Sequence, residues 1–362
     1  MGYEIDFLPI GDKSSGGDAI CIRFGDLHGD RSQQYVMVVD GGYQENGDDI
    51  VNHIAKFYGT NKIDLVLCTH ADQDHIGGLA TVLEKMDVKE LALHTPWVDS
   101  NEIFKFIEDG RRTEEGTRTN LMKALSTAKD LADFAEANET MVWQPFAGTK
   151  VEPINNYAIT VLGPSEEYHR LLMANYLEGH SKVDETSRLA AFLDRTLIKF
   201  IEESMDLETL TNPAEDATTP MNNSSAILHL NFGGKIVILT GDAGVPALDK
   251  ALDYADEEGI SYFQPSFTQI PHHGSKRNVG PTLLNRLFGE PGQEKTRTAF
   301  VSAPKEGQPK HPSNKVLNAF KRRGCGCHST DKGYGKYHYS HAPDRDGWST
   351  CEPLPFLEEV EE

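Results

Sequence analysis

Residues 69–78 concentrate four side chains that are able to bind metal ions. The segment reads Thr-His-Ala-Asp-Gln-Asp-His-Ile-Gly-Gly and brings His70, Asp72, Asp74 and His75 into one short stretch. Imidazole and carboxylate donors together suit a divalent transition ion. A polar turn that caps the next helix is the alternative interpretation, but it accounts for one acid rather than for two acids and two histidines. The sequence therefore predicts a metal-binding loop.

Two later segments place similar side chains directly after an apolar stretch. The β-branched run 236–239 is followed by Thr-Gly and then Asp242, and Ile270 is followed by Pro and then by His272 and His273. An aspartate after glycine is often only a turn residue, so Asp242 alone is a weak signal. Adjacent histidines point in different directions, and we expect one to bind metal and the other to contact substrate. A further histidine, His311, precedes a proline, where a plain surface loop is an equal alternative.

The elements around these segments alternate between strand and helix. Apolar or alternating runs at 3–8, 19–24, 35–39, 63–68 and 88–94 predict strands, and helical spacing appears at 50–58 and 79–86. This alternation favours an α/β fold with layered sheets. Two polar, helix-prone stretches at about 99–140 and 165–220 are interpreted as insertions in one domain, residues 1–345. An acidic C-terminal tail, 346–362, follows it.

The charge of the chain is strongly negative but unevenly distributed. There are 35 Lys+Arg against 56 Asp+Glu, a net charge of −21. An evenly spread charge of this size would repel nucleic acid. Residues 271–342 are the exception, with 13 basic residues against four acidic ones. We therefore expect one basic face beside the metal loop.

The location of the protein is predicted from three weak features. Mean hydropathy is −0.47, and there is no run of 18 apolar residues, so we expect no membrane span. The first residues, Met1–Asp6, are acidic where a signal peptide needs a basic and then apolar stretch. The five cysteines form an odd, sparse set that does not suggest a disulfide framework. Together these features predict a cytoplasmic protein.

The order of these motifs resembles the metallo-β-lactamase fold. Val39-Asp40-Gly41-Gly42 comes first, the 69–78 loop second, Thr240-Gly241-Asp242 next, and His272-His273-Gly274-Ser275 last. Asn222 to Ser225 and the His311-Pro312 pair match as well. Within that fold the chain is most similar to ComEC-type hydrolases, whose soluble domain accompanies a DNA-uptake channel. The resemblance implies an αββα sandwich with a two-metal site on one edge, and the two helical insertions look particular to this chain.

The resemblance also implies a ligand set for two divalent ions. One ion would be held by four residues and the other by three, with Asp242 shared between them: Asp74, His75, Asp242 and His272; His70, Asp72 and Asp242. The position of His272 within its motif makes it the preferred ligand over His273, and Asp40 would brace the metal loop without binding metal. Most of the superfamily has His where Asp72 stands. The anionic oxygen ligand shifts the preference toward Mn²⁺, with Zn²⁺ and Mg²⁺ as the other candidates.

One histidine of the family pattern has no clear counterpart. The superfamily usually supplies an imidazole between the second and fourth motifs, and the candidates here are His94, His169 and His180. A surface or capping role is the alternative for each. Without such a residue, the metal position of His70 would be open or weak.

These residues predict a metal-dependent phosphodiesterase or nuclease. Two ions would activate a water and stabilise charge on phosphorus. Asp74 or Asp242 would orient the water, and His273 or His311 would protonate the leaving oxygen or hold the phosphate. Ser275 and Lys276 are placed to bind phosphoryl oxygens. Nucleic acid or a nucleotide, including a cyclic one, is the expected substrate.

Two other classes of function use the same fold. A hydrolase of a lactone, thioester or β-lactam would use the same metal site to cleave a different kind of bond. A non-hydrolytic platform would use the fold only to bind a partner, although packing alone does not require six ligand candidates. The helical insertions could bind a protein partner or a second copy of the chain, or cover the site.

Overall fold

The strands of the computed structural model begin and end close to the predicted positions. The model describes residues 1–11, 16–99, 116–154, 156–177, 200–304 and 311–361. The strands within these ranges are β1 Gly2–Phe7, β2 Ala19–Gly25, β3 Gln34–Gly41, β4 Lys62–Leu67, β5 Asp87–Ala92, β6 Met141–Trp143, β7 Lys150–Ile154, β8 Tyr157–Gly163, β9 Phe200–Glu202, β10 Ile227–Phe232, β11 Lys235–Leu239, β12 Phe267–Gln269, β13 Arg297–Val301, β14 Cys325–Ser329, β15 Lys336–Ser340 and β16 Glu359–Glu361.

The helices of the same ranges connect the strands. They are α1 Gly47–His53, α2 Gln73–Ile76, α3 Leu79–Lys85, α4 Pro96–Asp99, α5 Gly116–Ala137, α6 Glu166–Leu177, α7 Pro220–Asn223, α8 Val245–Glu257, α9 Pro281–Phe288 and α10 Asn314–Arg322. A π-helical turn over Ile54–Tyr58 continues α1. None of the helices that the structure describes has both the length and the apolar character needed to cross a bilayer.

Two mixed sheets of seven strands face each other. The first has the order β15-β1-β2-β3-β4-β5-β6, and the second has the order β14-β13-β12-β11-β10-β8-β7. In the first sheet β3, β4, β5 and β6 run parallel, and in the second β11 to β14 do so. The carboxyl ends of these parallel strands are where functional loops collect in open α/β sheets.

Successive side chains of a strand point to opposite faces of its sheet, and this alternation explains the layers of the sandwich. In β2, Ile20 and Ile22 point into the core between the sheets, whereas Cys21 points to the helices outside. The inner core is aromatic near its centre, where the rings of Phe267 and Phe300 lie 4.9 Å apart. α1, α3, α5 and α6 cover the first sheet, and α8, α9 and α10 cover the second. The predicted αββα sandwich is confirmed.

Both predicted insertions contain helices that pack on the first sheet. α5 lies in the stretch 99–140 and α6 in the stretch 165–220. The helical interpretation of the stretch 165–220 is wrong at residues 200–202, which form β9 and pair antiparallel with β16. Two parts of the insertions, 100–115 and 178–199, lie outside the described residues.

The last part of the chain packs along α10. Lys321 Nζ donates a hydrogen bond to the carbonyl oxygen of Pro355 (2.6 Å), and Asn318 Nδ2 donates one to that of Leu357 (2.7 Å). The acidic segment 346–362 therefore contacts the preceding fold. That residues 1–345 form the folding unit stays a prediction.

Two arginines at the end of α10 are buried rather than displayed to a polyanion. Arg322 Nη2 lies 3.1 Å from Glu203 Oε2, and Arg323 donates two hydrogen bonds to the carboxylate of Glu208, at 2.8 and 2.9 Å. Because their charges neutralise internal acids, they add nothing to an exposed basic face. The positive excess of residues 271–342 is thus smaller at the surface than the sequence indicates.

Arg322→Ala is expected to lower the free energy of unfolding by ~3–5 kcal/mol, because it leaves the buried Glu203 carboxylate without its cation. Urea denaturation followed by circular dichroism measures the loss. The control is Lys62→Ala, whose partner Asp87 is as exposed as Lys62 itself, and a change below ~1 kcal/mol is expected there. If both variants lost the same small amount of unfolding free energy, a structural role for the buried Arg322–Glu203 pair would be contradicted.

Candidate metal centre

The predicted ligand side chains gather at one edge of the sandwich. Asp40 lies at the end of β3, the 69–78 loop follows β4, Asp242 follows β11, and the His272-His273 pair follows β12. β3 pairs in parallel with β4, and β11 pairs in parallel with β12, so all four strands end at this edge. The two sheets therefore deliver the motifs to one place although the sequence separates them widely.

The imidazole of His70 is anchored through one nitrogen and presents the other. Nδ1 lies 3.1 Å from Thr69 Oγ1 and 3.3 Å from Ser225 Oγ, so a proton on Nδ1 finds acceptors. Nε2 is buried and has no hydrogen-bond partner among the described residues, and it lies 3.6 Å from Asp72 Oδ2. An anchored Nδ1 and a presented Nε2 are typical of metal-binding histidines.

His75 follows the same pattern through Asp40. Its Nδ1 lies 2.7 Å from Asp40 Oδ2, and its Nε2 lies 3.4 Å from Asp242 Oδ1. Asp40 also accepts hydrogen bonds of 2.7 Å from the backbone nitrogen and the hydroxyl of Thr69. The rings of His70 and His75 are 4.2 Å apart between centroids. Asp40 therefore occupies the bracing position expected from the sequence.

Asp242 lies between two histidines. Its Oδ1 faces His75, and its Oδ2 lies 3.5 Å from His272 Nε2. His272 Nδ1 lies 3.0 Å from Asn278 Oδ1, so this imidazole is anchored like the other two. A donor atom of Asp242 also lies within 4.8 Å of one of His70, so this carboxylate is close to imidazoles of both predicted ligand groups.

His273 differs from the other histidines of the site. Its Nε2 lies 3.6 Å from Asp74 Oδ2, but neither ring nitrogen has a hydrogen-bond partner within the described part of the chain. His272 and His273 both have positive φ angles, 46° and 53°, which cost about 1–3 kcal/mol each in a non-glycine residue. This strained turn sends the two rings in different directions, with 77° between their planes. The anchoring favours His272 as the ligand, whereas donor atoms of Asp74, His75 and His273 lie within 4.8 Å of one another, so the choice of His272 stays a prediction.

The capping interpretation of the loop is not supported. α2 begins directly after Asp72, but the Asp72 side chain makes no hydrogen bond to the helix. Its carboxylate is 40% exposed and faces His70 instead. The second acid of the loop, Asp74, faces His273 and His75.

Several buried polar atoms at this edge fit a divalent metal. Nε2 of His70, Nε2 of His75 and Oδ1 of Asp242 are buried without hydrogen-bond partners among the described residues, and donor atoms of these three residues lie within 4.8 Å of one another. Buried polar atoms rarely stay unsatisfied unless water or an ion completes them. Mixed imidazole and carboxylate donors suit Mn²⁺ and Zn²⁺.

Asp74, His75 and His273 lie close enough to favour one another's charged forms. Burial lowers the pKa of His75, but the surrounding carboxylates, led by Asp242, outweigh it, and the pKa is raised well above its usual value. For Asp74, burial is outweighed by His75 and His273, and the pKa falls to about 2. Burial also opposes the charge on His273, yet the carboxylates, again led by Asp242, raise its pKa to about 9.

The other sequence-predicted site residues lie beside this cluster. The ring of His311 stacks on that of His272, with 6.0 Å between centroids. Ser275 is buried, and its hydroxyl accepts a hydrogen bond from the backbone nitrogen of Arg277. Lys276 is exposed at the surface next to it.

Asp18 is a buried acid of the site that sequence reasoning missed. It accepts hydrogen bonds from Gln269 Nε2 (3.0 Å) and from the hydroxyl of Ser302, and its Oδ2 lies 3.9 Å from His75 Nδ1. Gln269 Oε1 in turn accepts from the backbone nitrogens of residues 240–241, directly before Asp242. The available signal was an acid after two glycines at the start of an apolar strand. That pattern differs from the other motifs, which follow their strands.

The helical insertions border the metal loop. Gln73 Nε2 donates a hydrogen bond of 3.3 Å to Thr127 of α5. On α6, burial raises the pKa of Tyr176 to about 12, and the nearby charge of Asp72 raises it further. The insertions therefore contribute side chains to the surroundings of the site.

Two of the three unplaced histidines lie next to the loop. His94, just after β5, and His169, on α6, stack at 4.2 Å between ring centroids. Both are buried, and burial lowers the pKa of His94 well below its usual value, with His169 and His70 lowering it further. His180, the third candidate, lies outside the described residues.

Comparisons with known proteins agree with this arrangement. The model of the metallo-beta-lactamase superfamily matches residues 31–142, which include Asp40 and the whole metal loop. ComE operon protein 3 of Bacillus subtilis (strain 168) is 29% identical over 143 residues, and the uncharacterized protein YcaI of Escherichia coli (strain K12) is 29% identical over 112 residues. These matches cover 38% and 31% of this chain but only 16% and 13% of the relatives, which are much longer.

Solved structures align over most of the chain at low identity. Zn²⁺-bound PqqB from Methylobacterium extorquens aligns with a TM-score of 0.41 and 11% identity, over 93% of this chain and 99% of that one. A diphosphatase of the PhnP family aligns with a TM-score of 0.39 and 10% identity, over 94% and 98%. Residues 31–142 are therefore similar to the metallo-beta-lactamase superfamily, whose members are mostly hydrolases, and the fold and the converging motifs agree with that match.

Proposed function

We propose that the chain is a two-metal phosphodiesterase that hydrolyses nucleic acid or a nucleotide. The observation that supports it most is the position of Asp242, whose oxygens lie 3.4 Å from His75 Nε2 and 3.5 Å from His272 Nε2 and which also has a donor atom within 4.8 Å of one of His70. One shared carboxylate between two groups of donors is the arrangement that a pair of ions needs.

The proposed ligands divide into two groups around Asp242. Asp74, His75 and His272 would hold one ion with it, and His70 and Asp72 would hold the other. When bound, the ions would supply an activated water as nucleophile and stabilise negative charge on the phosphoryl oxygens. Mn²⁺ or Zn²⁺ is the proposed metal, with Mg²⁺ as the further candidate, because the set contains three carboxylates beside its imidazoles.

The remaining site residues would act on the substrate. Asp74 lies between His75 and His273, where it can orient the attacking water. His273 or His311 would donate the proton that the leaving oxygen needs. The exposed Lys276 and the Ser275 turn would bind the phosphoryl group.

The substrate class rests on charge and on resemblance. Lys276 and Arg277 are both exposed directly after the histidine pair, which gives a local positive charge on an otherwise acidic protein. The ComEC-type motifs favour DNA among the nucleic acids. A cytoplasmic location, and a protein partner or second copy on the helical insertions, stay parts of the proposal.

Asp242→Asn is expected to remove tightly bound metal and to lower the rate of hydrolysis more than ~100-fold. Replacing a residue that only orients a metal ligand already lowers metal affinity or activity ~10–100-fold, and a direct ligand should matter more. Metal content after gel filtration and hydrolysis of bis(p-nitrophenyl) phosphate with Mn²⁺ and with Zn²⁺ measure both effects. Asp256→Asn is the matched control, because this aspartate pairs with Arg286 on the surface of α8. Full activity in Asp242→Asn would remove the proposed role of the bridging carboxylate.

A substrate panel distinguishes the classes of hydrolase. Plasmid DNA, single-stranded DNA, RNA, cyclic dinucleotides and nitrocefin are incubated with the metal-loaded protein. Cleavage of a phosphodiester that requires the metal is expected. Turnover of nitrocefin without turnover of any phosphodiester would instead indicate a hydrolase of a non-phosphate bond.

The pKa of His273 predicts how the chelator-treated protein responds to pH. A pKa raised to about 9 means that the charged imidazole contributes stability fully below pH ~6.5, and that this stability is lost as the pH rises through about 9. The Tm of chelator-treated protein should therefore fall between pH 6.5 and 9, and His273→Gln should reduce that fall. An identical pH profile in the variant would show that His273 is not charged in the folded protein.

A further inference from the structure

Asp18 is buried at the edge of the sandwich that carries the metal loop. It lies directly before β2 of the first sheet and is 1% exposed. Its carboxylate accepts hydrogen bonds from Gln269, the last residue of β12, and from Ser302, which follows β13. Asp18 therefore joins the first sheet to two strand ends of the second sheet.

The side-chain amide of Gln269 extends this contact to the turn that carries Asp242. Its Nε2 donates to Asp18 Oδ2 (3.0 Å), and its Oε1 accepts from the backbone nitrogens of Thr240 (2.8 Å) and Gly241 (3.0 Å). An ionised carboxylate can only accept and a backbone N–H can only donate, so one orientation of the amide satisfies all three bonds. Because Asp242 follows Gly241 directly, the position of its carboxylate is tied to Asp18.

The backbone of Asp18 contacts the metal loop as well. Its nitrogen donates to the backbone oxygen of Asp74 (3.1 Å), and its oxygen accepts from the backbone nitrogen of Gly42 (2.7 Å). Gly17 permits this approach, because a Cβ there would lie 2.6 Å from the same Asp74 oxygen. Asp18 Oδ2 also lies 3.9 Å from His75 Nδ1. The metal loop is therefore held by the backbone of the residue whose side chain reaches the second sheet.

A further metal ion between these acids does not fit their hydrogen bonds. Donor atoms of Asp18, Asp40 and His75 lie within 4.8 Å of one another, which is close enough for one ion. Both oxygens of Asp18 already accept hydrogen bonds, however, and those of Asp40 are bonded to Thr69 and His75. Among the described residues, none of these four oxygens is an unsatisfied buried atom, whereas Oδ1 of Asp242 is one. Asp18 therefore belongs to the support of the site and not to its ligands.

Resting on the two-metal site proposed above, we propose that Asp18 is a positioning residue that sets the distance between His75 on the first sheet and Asp242 on the second. The facing atoms of these two side chains lie 3.4 Å apart, although the side chains come from different sheets. The groups of a functional site must be held to within about 0.5 Å of their productive geometry. Asp18 acts on the ions only through Gln269 and through the backbone of the metal loop.

Zn²⁺ affinity, measured by competition with a chromogenic chelator, tests the proposal without any substrate. Asp18→Ala removes the acceptor of Gln269, and we expect the affinity to fall ~10–100-fold, as it does when a residue that orients a metal ligand is lost. Asn318→Ala is the matched control, because Asn318 is a buried amide on α10 whose Nδ2 donates to Glu203 Oε2 (2.9 Å). This control should lower the free energy of unfolding and leave the Zn²⁺ affinity unchanged.

A reversed pair tests the same contact even if Asp18→Ala folds poorly. Gln269→Glu places two carboxylates against each other, and we expect it to weaken Zn²⁺ binding as Asp18→Ala does. The double variant Asp18→Asn/Gln269→Glu exchanges donor and acceptor without changing the net charge, so it should recover most of the lost affinity. The absorption spectrum of the Co²⁺-loaded protein reports ligand geometry, and it should change in Gln269→Glu and return in the double variant.

Two results would overturn the role of Asp18. One is an unchanged Zn²⁺ affinity and Co²⁺ spectrum in both Asp18→Ala and Gln269→Glu. The other is an equal loss of affinity in Asp18→Ala and Asn318→Ala, because the effect would then follow stability alone. A metal-loaded wild-type protein that cleaves none of the phosphodiesters in the substrate panel would instead overturn the proposed function, so the two failures are distinguishable.

Discussion

The hydrogen bond between Asp40 and His75 is the interaction on which the geometry of the site depends. It joins the end of β3 to the metal loop after β4, and the same carboxylate fixes Thr69 through two further bonds. With Nδ1 held, Nε2 of His75 lies 3.4 Å from Asp242 Oδ1 and 3.9 Å from Asp74 Oδ2. Nδ1 of His70 and Nδ1 of His272 are held in the same way, but by the uncharged side chains of Thr69 and Asn278. The geometry of the site therefore depends on the residues that anchor each imidazole as much as on the imidazoles themselves.

Much of this arrangement could be predicted from local sequence. The metal loop, Asp242 and the histidine pair each follow an apolar run, and the carboxyl ends of parallel strands share one edge. The αββα layers follow from the alternation of residues such as Ile20 and Cys21, which the structure confirms. That the motifs meet at one site was predicted from their order along the chain, because the spacing of apolar residues does not show which strands become neighbours.

What could not be predicted depends on contacts between distant segments. Asp18 precedes its strand and receives its partners, Gln269 and Ser302, from more than 250 positions later. The basic residues at the end of α10 read as a charged surface, yet Arg322 is buried against Glu203. Neither burial nor partner choice is visible in local composition, so the sequence overstated the exposed positive charge. The strand β9 was missed for the same reason, since its partner is at the far end of the chain.

The pairing of β1 with β15 has a consequence for how the chain acquires its structure. Tyr3 is opposite Ser340, so β1 finds one of its two neighbours only after residue 340 has been made. Contacts of such long sequence separation slow folding, because a large loop must close before they form. During synthesis the outer edge of β1 is therefore an unpaired strand edge, which is a template for association with other chains. Substitutions at this edge should therefore change chaperone dependence and yield at high expression rates more than substitutions in the metal loop do.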